Sequence, residues 1–330
     1  MIQFQETGQD SLVKTFARTE GERAALTYPF EFKRNHFLAL LQGTVVGRIS
    51  ANLSASDPKR GYFGFFDVNC GSDVLNRECA KGLLASAELW LSSQGADHVV
   101  GPVNYSTLFE YRLRLDEGND PEASPVFSWE PPRRKGFIAW LQGSGYELLE
   151  EYHSRAFRDP RLVLPFSQRR YDEALASGFK TRPIEFSGAE SPDLRALFRI
   201  NSSSFQESFL SEPFDFRAYT TLNIPKHSSL LSEFSFFILN PRGQEVGYFF
   251  TFPDQGYLVC KTIAVLPEYQ KAGLASFGIH HAISLANEKG INRVVSALIR
   301  RGAPSESLLS KAESLMIWEH RYGVFSKKLL

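Results

Sequence analysis

One stretch constrains the fold more than any other: Thr262-Ile263-Ala264-Val265-Leu266-Pro267-Glu268-Tyr269-Gln270-Lys271-Ala272-Gly273-Leu274-Ala275. An apolar strand runs to Val265, Pro267 prevents its continuation, and a helix begins near Gly273. Ala275, Ile279, Ala282, Ile283 and Ala286 lie on one face of that helix, and Gly290 ends it. Ile291–Ile299 then forms a nearly continuous apolar run, the pattern of a buried strand. The turn between strand and helix presents backbone N–H groups that have no intrahelical partner, at the positive end of a helix dipole. Such a turn binds anions, and a pyrophosphate is its natural guest. Gly273 lets the backbone approach the ligand closely, and Ala275 is small enough not to block it. An ordinary strand–turn–helix corner of an α/β domain is the alternative reading.

The chain has 330 residues, room for two domains. The second half is expected to begin with a strand at Phe179–Phe186. A helix follows from Ser191-Pro192 to about Ser203, then a short helix at Pro213–Leu222. Phe234–Leu239, Glu245–Phe252 and Gly256–Val265 read as strands, Ser305–Ala312 as a helix and Tyr322–Leu329 as a closing strand. In the first half, His36–Leu41 and Val45–Leu53 read as a β-hairpin, and Gly61–Val68 as a buried aromatic strand. Leu75, Cys79, Leu83, Ala87 and Trp90 mark a helix face that ends at Gly95. A strand at His98–Gly101, an irregular loop from Tyr105 to Pro132, a helix at Lys135–Leu141 and a strand at Tyr146–Arg158 complete it. Both halves share the order hairpin, apolar strand, helix, strand, which suggests an internal duplication.

Composition narrows the function classes. Hydrophobic residues make up 43% and charged residues 22%, a globular balance. Lys+Arg and Asp+Glu both number 37, so the net charge of zero argues against a nucleic-acid partner. The clusters Arg133-Arg134-Lys135 and Arg169-Arg170 read as solvated loop charge. No apolar run approaches the ~18 residues of a membrane helix, and Met1–Asp10 lacks the layout of a signal peptide. Cys70, Cys79 and Cys260 form neither a disulfide framework nor a zinc spacing. The expectation is a reduced, cytoplasmic protein without a metal.

The 262–275 segment resembles the acyl-CoA signature of the GNAT (general N-acetyltransferase) superfamily, an apolar strand followed by Gln/Arg-x-x-Gly-x-Gly/Ala. Here the match is Gln270, Gly273 and Ala275, with Val265 and Pro267 upstream. In the first half, Val46-Gly47-Arg48-Ile49-Ser50, Gly64-Phe65-Phe66 and Gly101-Pro102-Val103-Asn104 are similar, more loosely, to bacterial tandem-GNAT proteins. The resemblance implies a mixed α+β fold of two GNAT-like domains, each a mostly antiparallel mixed sheet flanked by helices. The expected division is a degenerate domain at 1–160, a linker at 161–178 in which the charged stretch around Gln168–Glu173 is expected as a short helix, and an acyl-CoA-binding domain at 179–330. The first half is not expected to bind CoA, because Asp67–Gly82 lacks the phosphate signature and Asp67, Asp73 and Glu78 would repel a pyrophosphate.

The resemblance also implies chemistry. Acetyl-CoA is the expected co-substrate, and a small-molecule or protein amine the acceptor. Ile263, Ala264 and Val265 would line the pantetheine arm, and Gln270, Lys271, Ala272, Gly273, Leu274 and Ala275 the pyrophosphate. The Val265 N–H is the candidate donor to the thioester carbonyl. Glu268, Glu207 and Glu212 are candidate bases beside a water relay; an exposed loop carboxylate is the plainer reading of Glu268. The family's general-acid tyrosine has no counterpart in Ser305–Ala312, where Ser305, Ser307 and Ser310 are the hydroxyls. His280-His281 and Cys260 read as packed side chains rather than ligand or nucleophile. The alternatives are a non-catalytic acyl-CoA sensor and, disfavoured by net charge, a transferase using charged transfer RNA. A homodimer is possible.

Overall fold

The computed structural model describes residues 1–7, 17, 20–116, 126–186, 191–221 and 231–329. In chain order the first half gives β1 (Ile2–Glu6), α1 (Glu20–Thr27), β2 (Arg34–Leu41), β3 (Thr44–Leu53), β4 (Arg60–Val68) and α2 (Asp73–Ser93). It continues with β5 (His98–Gly101), the two-residue β6 (Leu113–Arg114), α3 (Phe137–Gly143) and β7 (Glu147–Arg158). After a 3-10 turn at Pro160–Val163 come α4 (Leu164–Ala176), β8 (Lys180–Pro183), α5 (Pro192–Phe205), β9 (Phe236–Leu239), β10 (Glu245–Asp254) and β11 (Tyr257–Val265). A 3-10 turn at Pro267–Ala272 leads to α6 (Leu274–Glu288), β12 (Arg293–Arg300), a 3-10 segment at Pro304–Leu315 and β13 (Met316–Lys328).

The sheet order is β1-β2-β3-β4-β5-β13-β7-β12-β11-β10-β9-β8, with β6 beside β13. It reads as a palindrome about the β13–β7 pair. β4 and β5 pair in parallel, as do β11 and β12, and the remaining pairs are antiparallel in both arms. The duplication suggested by element order is therefore present in the topology. Tyr152 of β7 faces Tyr322 of β13 across the central pair.

The last strand of each half crosses over. β7 leaves its own half to pair with β12, and β13 pairs with β5. The cores follow: Ala156 and Phe157 of β7 belong to the second-half core, Phe325 and Leu329 to the first. A further tie runs through Glu212, which the sequence offered as a base. Its carboxylate reaches into the first half and accepts from Ser54 Oγ (2.5 Å), Tyr62 OH (2.6 Å), Ala55 N (2.9 Å) and Ser56 N (3.0 Å). It is a structural acceptor.

Residues 161–178, expected as a linker, carry α4. Its Tyr171 stacks on Phe277 (5.2 Å) and His280 (4.3 Å) of α6, so an apolar face absorbs what composition alone reads as a polar connection. The expected helix at Ser305–Ala312 is part of a 3-10 segment instead, which starts at Pro304. Of the expected helix Pro213–Leu222, residues 216–221 are helical and Leu222 lies outside the described residues.

Candidate functional site

Two strands that should run side by side separate, and the cause is local. β11 and β12 pair only from Leu258–Cys260 to Val294–Ser296. Beyond that point Leu298 adopts a left-handed backbone (φ 57°), and its N–H turns to β7, donating to Ser154 Oγ at 2.9 Å. β12 thus follows β7 and leaves β11 open. On β11 the Leu266 N–H bonds Val246 O (2.9 Å), and the register pairs Val265 with Gly247. By the alternation of antiparallel pairing, the N–H groups of Ile263 and Val265 then face the opening, not β10. The Val265 carbonyl accepts from Ser204 Oγ of α5 (3.1 Å) and Gln270 Nε2 (3.2 Å), which hold the strand end in place.

The opening ends at the turn singled out in the sequence. Gly273 has φ +75° and stands as N-cap of α6, and among the described residues no side chain accepts from the helix's first amides. A Cβ at Gly273 would come 3.2 Å from Arg170 Cδ, so α4 lays an arginine beside the turn. Arg170 also pairs with Glu173 at 3.1 Å. The corresponding features of the first half are closed. Val103 N donates to Phe63 O (2.7 Å) and Phe65 N to Asn104 Oδ1 (2.6 Å), so residues 103–104 fill the gap beside β4. The start of α2 is capped from within: Ser72 Oγ accepts from Leu75 N, and Asn76 Oδ1 from Cys70 N at 2.6 Å, with Asp73 in the first turn.

The wedge opens into a cavity of about 900 Å³ that reaches across both halves. Ile263, Ala264, Val265, Gln270, Gly273 and Ala275 line it. Five other proposed residues do not. Glu268 is exposed and lies outside the lining, because the 3-10 turn points it to solvent; it is withdrawn as a base. Lys271 and Ala272 are exposed on that turn, and Leu274 packs in the core, where only its backbone can serve an anion. Glu207 is exposed and does not line the cavity. Ser305 does line it; the side chains of Ser307 and Ser310 lie outside the described residues.

Other sequence candidates resolve into packing. His280 meets Ser167 Oγ (2.9 Å) and His281 meets Thr181 Oγ1 (3.3 Å), separate partners rather than a shared ion. Cys260 is buried, and burial pushes its thiol up to about 12, which leaves it protonated and unreactive. Among the described residues, no acidic side chain of β11, β12, α5 or α6 lines the cavity; Glu22, Glu110, Glu130 and Glu212 do so from elsewhere. Of these, Glu130 is buried and bound to His320 Nδ1 and Tyr322 OH, both at 2.6 Å, which with the Val126 N–H hold its carboxyl below the usual range against the opposing effect of burial. The sequence reads Arg170 only as solvated charge within an expected linker, and Arg112, inside a long irregular loop, gives no signal there.

Comparison with known proteins now bears on the site. Residues 194–307 match the model of the Acetyltransferase (GNAT) family. That segment is a GNAT domain. It contains the wedge and the Gly273 turn, and the whole chain takes a tandem-GNAT fold. A tandem GNAT protein from the clavulanic acid biosynthesis pathway superposes with a TM-score of 0.56 at 13% identity, covering 100% of this chain and 99% of that one. A GCN5-related N-acetyltransferase from Sphaerobacter thermophilus gives 0.50 at 13% identity, covering 99% and 96%. A probable N-acyltransferase of unknown function from Enterococcus faecalis V583 gives 0.54 at 9% identity, covering 100% and 73%. No curated protein matches the chain. The GNAT domain and fold point to acyl transfer to an amine in general terms. No helix among the described residues is long and apolar enough to cross a membrane.

Proposed function

We propose that the chain is an acetyl-CoA-dependent N-acetyltransferase with one active site, in the β11–β12 wedge. The observation that carries this reading is the continuity of three features in one cavity: the strand edge at Ile263–Val265, the uncapped turn at Gly273, and open space beyond both. The pantetheine arm extends β11 as an added strand, and the amides at the start of α6 hold the diphosphate, with Arg170 beside them. Gln270 acts indirectly, by holding the Val265 carbonyl so that the Val265 N–H faces the thioester oxygen. One such donor contributes about 3 kcal/mol to the transition state. The first half, with its gap filled and its helix capped, shapes the acceptor side and binds no CoA.

The neutral amine attacks the thioester carbon directly, the C–S bond breaks as the tetrahedral adduct collapses, and the nitrogen's surplus proton passes through water to the departing thiolate, giving amide and free thiol. With no carboxylate lining the cavity from β11, β12, α5 or α6 among the described residues, the ammonium gives its proton to water before attack. The pH profile follows. For an α-amine acceptor, whose ordinary pKa is about 8, kcat/KM should rise about tenfold per pH unit below 7 and level off near 8 to 9. Release of free thiol from acetyl-CoA across an amine panel measures it. A break near pH 5 to 6 would assign the proton to a protein carboxylate and contradict the water route. Acetyl-CoA binding without turnover on any amine would instead support the acyl-CoA sensor.

A further inference from the structure

Four arginines line the cavity among the described residues, and three already face a carboxylate. Arg48 meets Glu22 (3.5 Å), Arg134 meets Asp67 (3.4 Å) and Arg300 meets Glu150 (3.7 Å). Arg112 has no such partner. Its guanidinium lies 3.8 Å from the ring centroid of Tyr111 and 4.1 Å from that of Tyr152. One Nη donates to the Tyr111 hydroxyl, while Nε is buried with no hydrogen-bond partner. The residue is only 9% exposed. Burial pushes the guanidinium down to about 10, and the phenols of Tyr152 and Tyr322 act in the opposite direction. At neutral pH the group is therefore still a cation.

This arrangement is costly in the empty protein. An unpaired donor on a buried cation is strongly unfavourable, and aromatic faces offset only part of that. Arg112 also has φ +84°, a left-handed backbone that is strained for a non-glycine residue. Packing does not require it, since an apolar side chain would fill the space between two rings without that cost. A ligand carrying one negative charge removes the deficit. The location suits an acceptor: Tyr152, on which Arg112 stacks, pairs with Arg300 at the diverging end of β12. Arg112 itself comes from the first-half wall, its N–H bonded to Pro102 O at 3.1 Å.

We propose that Arg112, clasped by Tyr111 and Tyr152, binds a carboxylate on the acyl acceptor, so that the acceptor class is an amine bearing a carboxylate, such as an amino acid or short peptide. This rests on the reading of the wedge as an acyl-transfer site. The planar fork of the guanidinium matches the two oxygens of a carboxylate. One unpaired cation also balances one charge, whereas a phosphate would bring nearly two.

The test uses the full chain and product mimics, so it does not depend on turnover. N-acetyl amino acids and their C-terminal amides are titrated calorimetrically, with and without CoA. Carboxylates should bind at least about tenfold more tightly than the matching amides. Arg112→Gln should weaken carboxylate binding about 30-fold or more and leave the amides and the CoA affinity within about threefold. Arg112→Lys, which keeps the charge but loses the fork, should fall between the two and serves where the glutamine variant does not fold. Equal binding of acids and amides overturns the proposal, as does undiminished acid binding by the variants, or no acid binding by the wild type. Loss of CoA binding in the wild type would instead sink the wedge reading, and the titrations without CoA would still decide the role of Arg112.

Discussion

Gly273→Asp should weaken acetyl-CoA binding by at least about 100-fold while leaving the melting temperature nearly unchanged. Two unit charges 4–5 Å apart at an effective dielectric constant near 20 interact by about 3–4 kcal/mol, more than two decades of affinity. The substitution brings a carboxylate to the turn proposed to hold the diphosphate. The fold tolerates it, because aspartate enters the left-handed region more readily than most residues and the nearest atom to a new Cβ is the flexible Cδ of Arg170 at 3.2 Å. Gly273→Ala adds backbone strain of about 1 kcal/mol without charge, so it should bind CoA far better than the aspartate variant. Calorimetric titration of the three proteins checks both expectations. Equal affinity for wild type and Gly273→Asp would move the diphosphate elsewhere.

The second large effect concerns the exchange of strands. Residues 1–160 and 179–330, expressed separately, should each fail to give a folded protein, and the whole chain should unfold in one cooperative transition. A second half without β7 leaves β12 an open edge and removes Ala156 and Phe157 from its core. A first half without β13 loses the partner of β5 together with Phe325 and Leu329. Removing a buried large hydrophobic side chain costs about 2–5 kcal/mol, and several such losses exceed the 5–15 kcal/mol that holds a domain together. Denaturant titrations followed by circular dichroism and by intrinsic fluorescence should coincide for the full chain. A soluble, cooperatively folding half would show that the crossover is dispensable. Glu212→Ala gives a milder version: it strips the acceptor shared by Ser54, Tyr62 and two backbone amides, and should cost about 3 kcal/mol.

Local patterns carried much of this structure into the sequence. The step of apolar residues from Leu75 to Trp90 marks α2 because a helix repeats its face every 3.6 residues, and Gly273 marks the turn because few residues accept a positive φ there. The two shared element orders announced the duplication. Partner choice was not legible: nothing in the periodicity of Glu147–Arg158 states that β12, from the other half, is its neighbour. Only the middle of α4, around Gln168–Glu173, was legible as a helix, because its buried contacts come chiefly from Tyr171 and Ala174, too few for a clear stripe. Glu212 and Glu268 were both plausible bases as loop carboxylates. Only the fold shows that one is consumed by five donors' worth of contacts from the other half, counting Ser56 Oγ at 3.3 Å, and that the other faces solvent. Arg112 gave no sequence signal, since a buried cation is defined by what does not surround it.

Amide hydrogen exchange with and without acetyl-CoA tests the central claim most directly. Peptides covering residues 262–276 should exchange more slowly once acetyl-CoA is present, through the amides of Ile263, Val265 and the first turn of α6. Peptides covering 64–80, the matching region of the first half, should not change. Protection at 64–80, or none at 262–276 under saturating acetyl-CoA, would contradict the account.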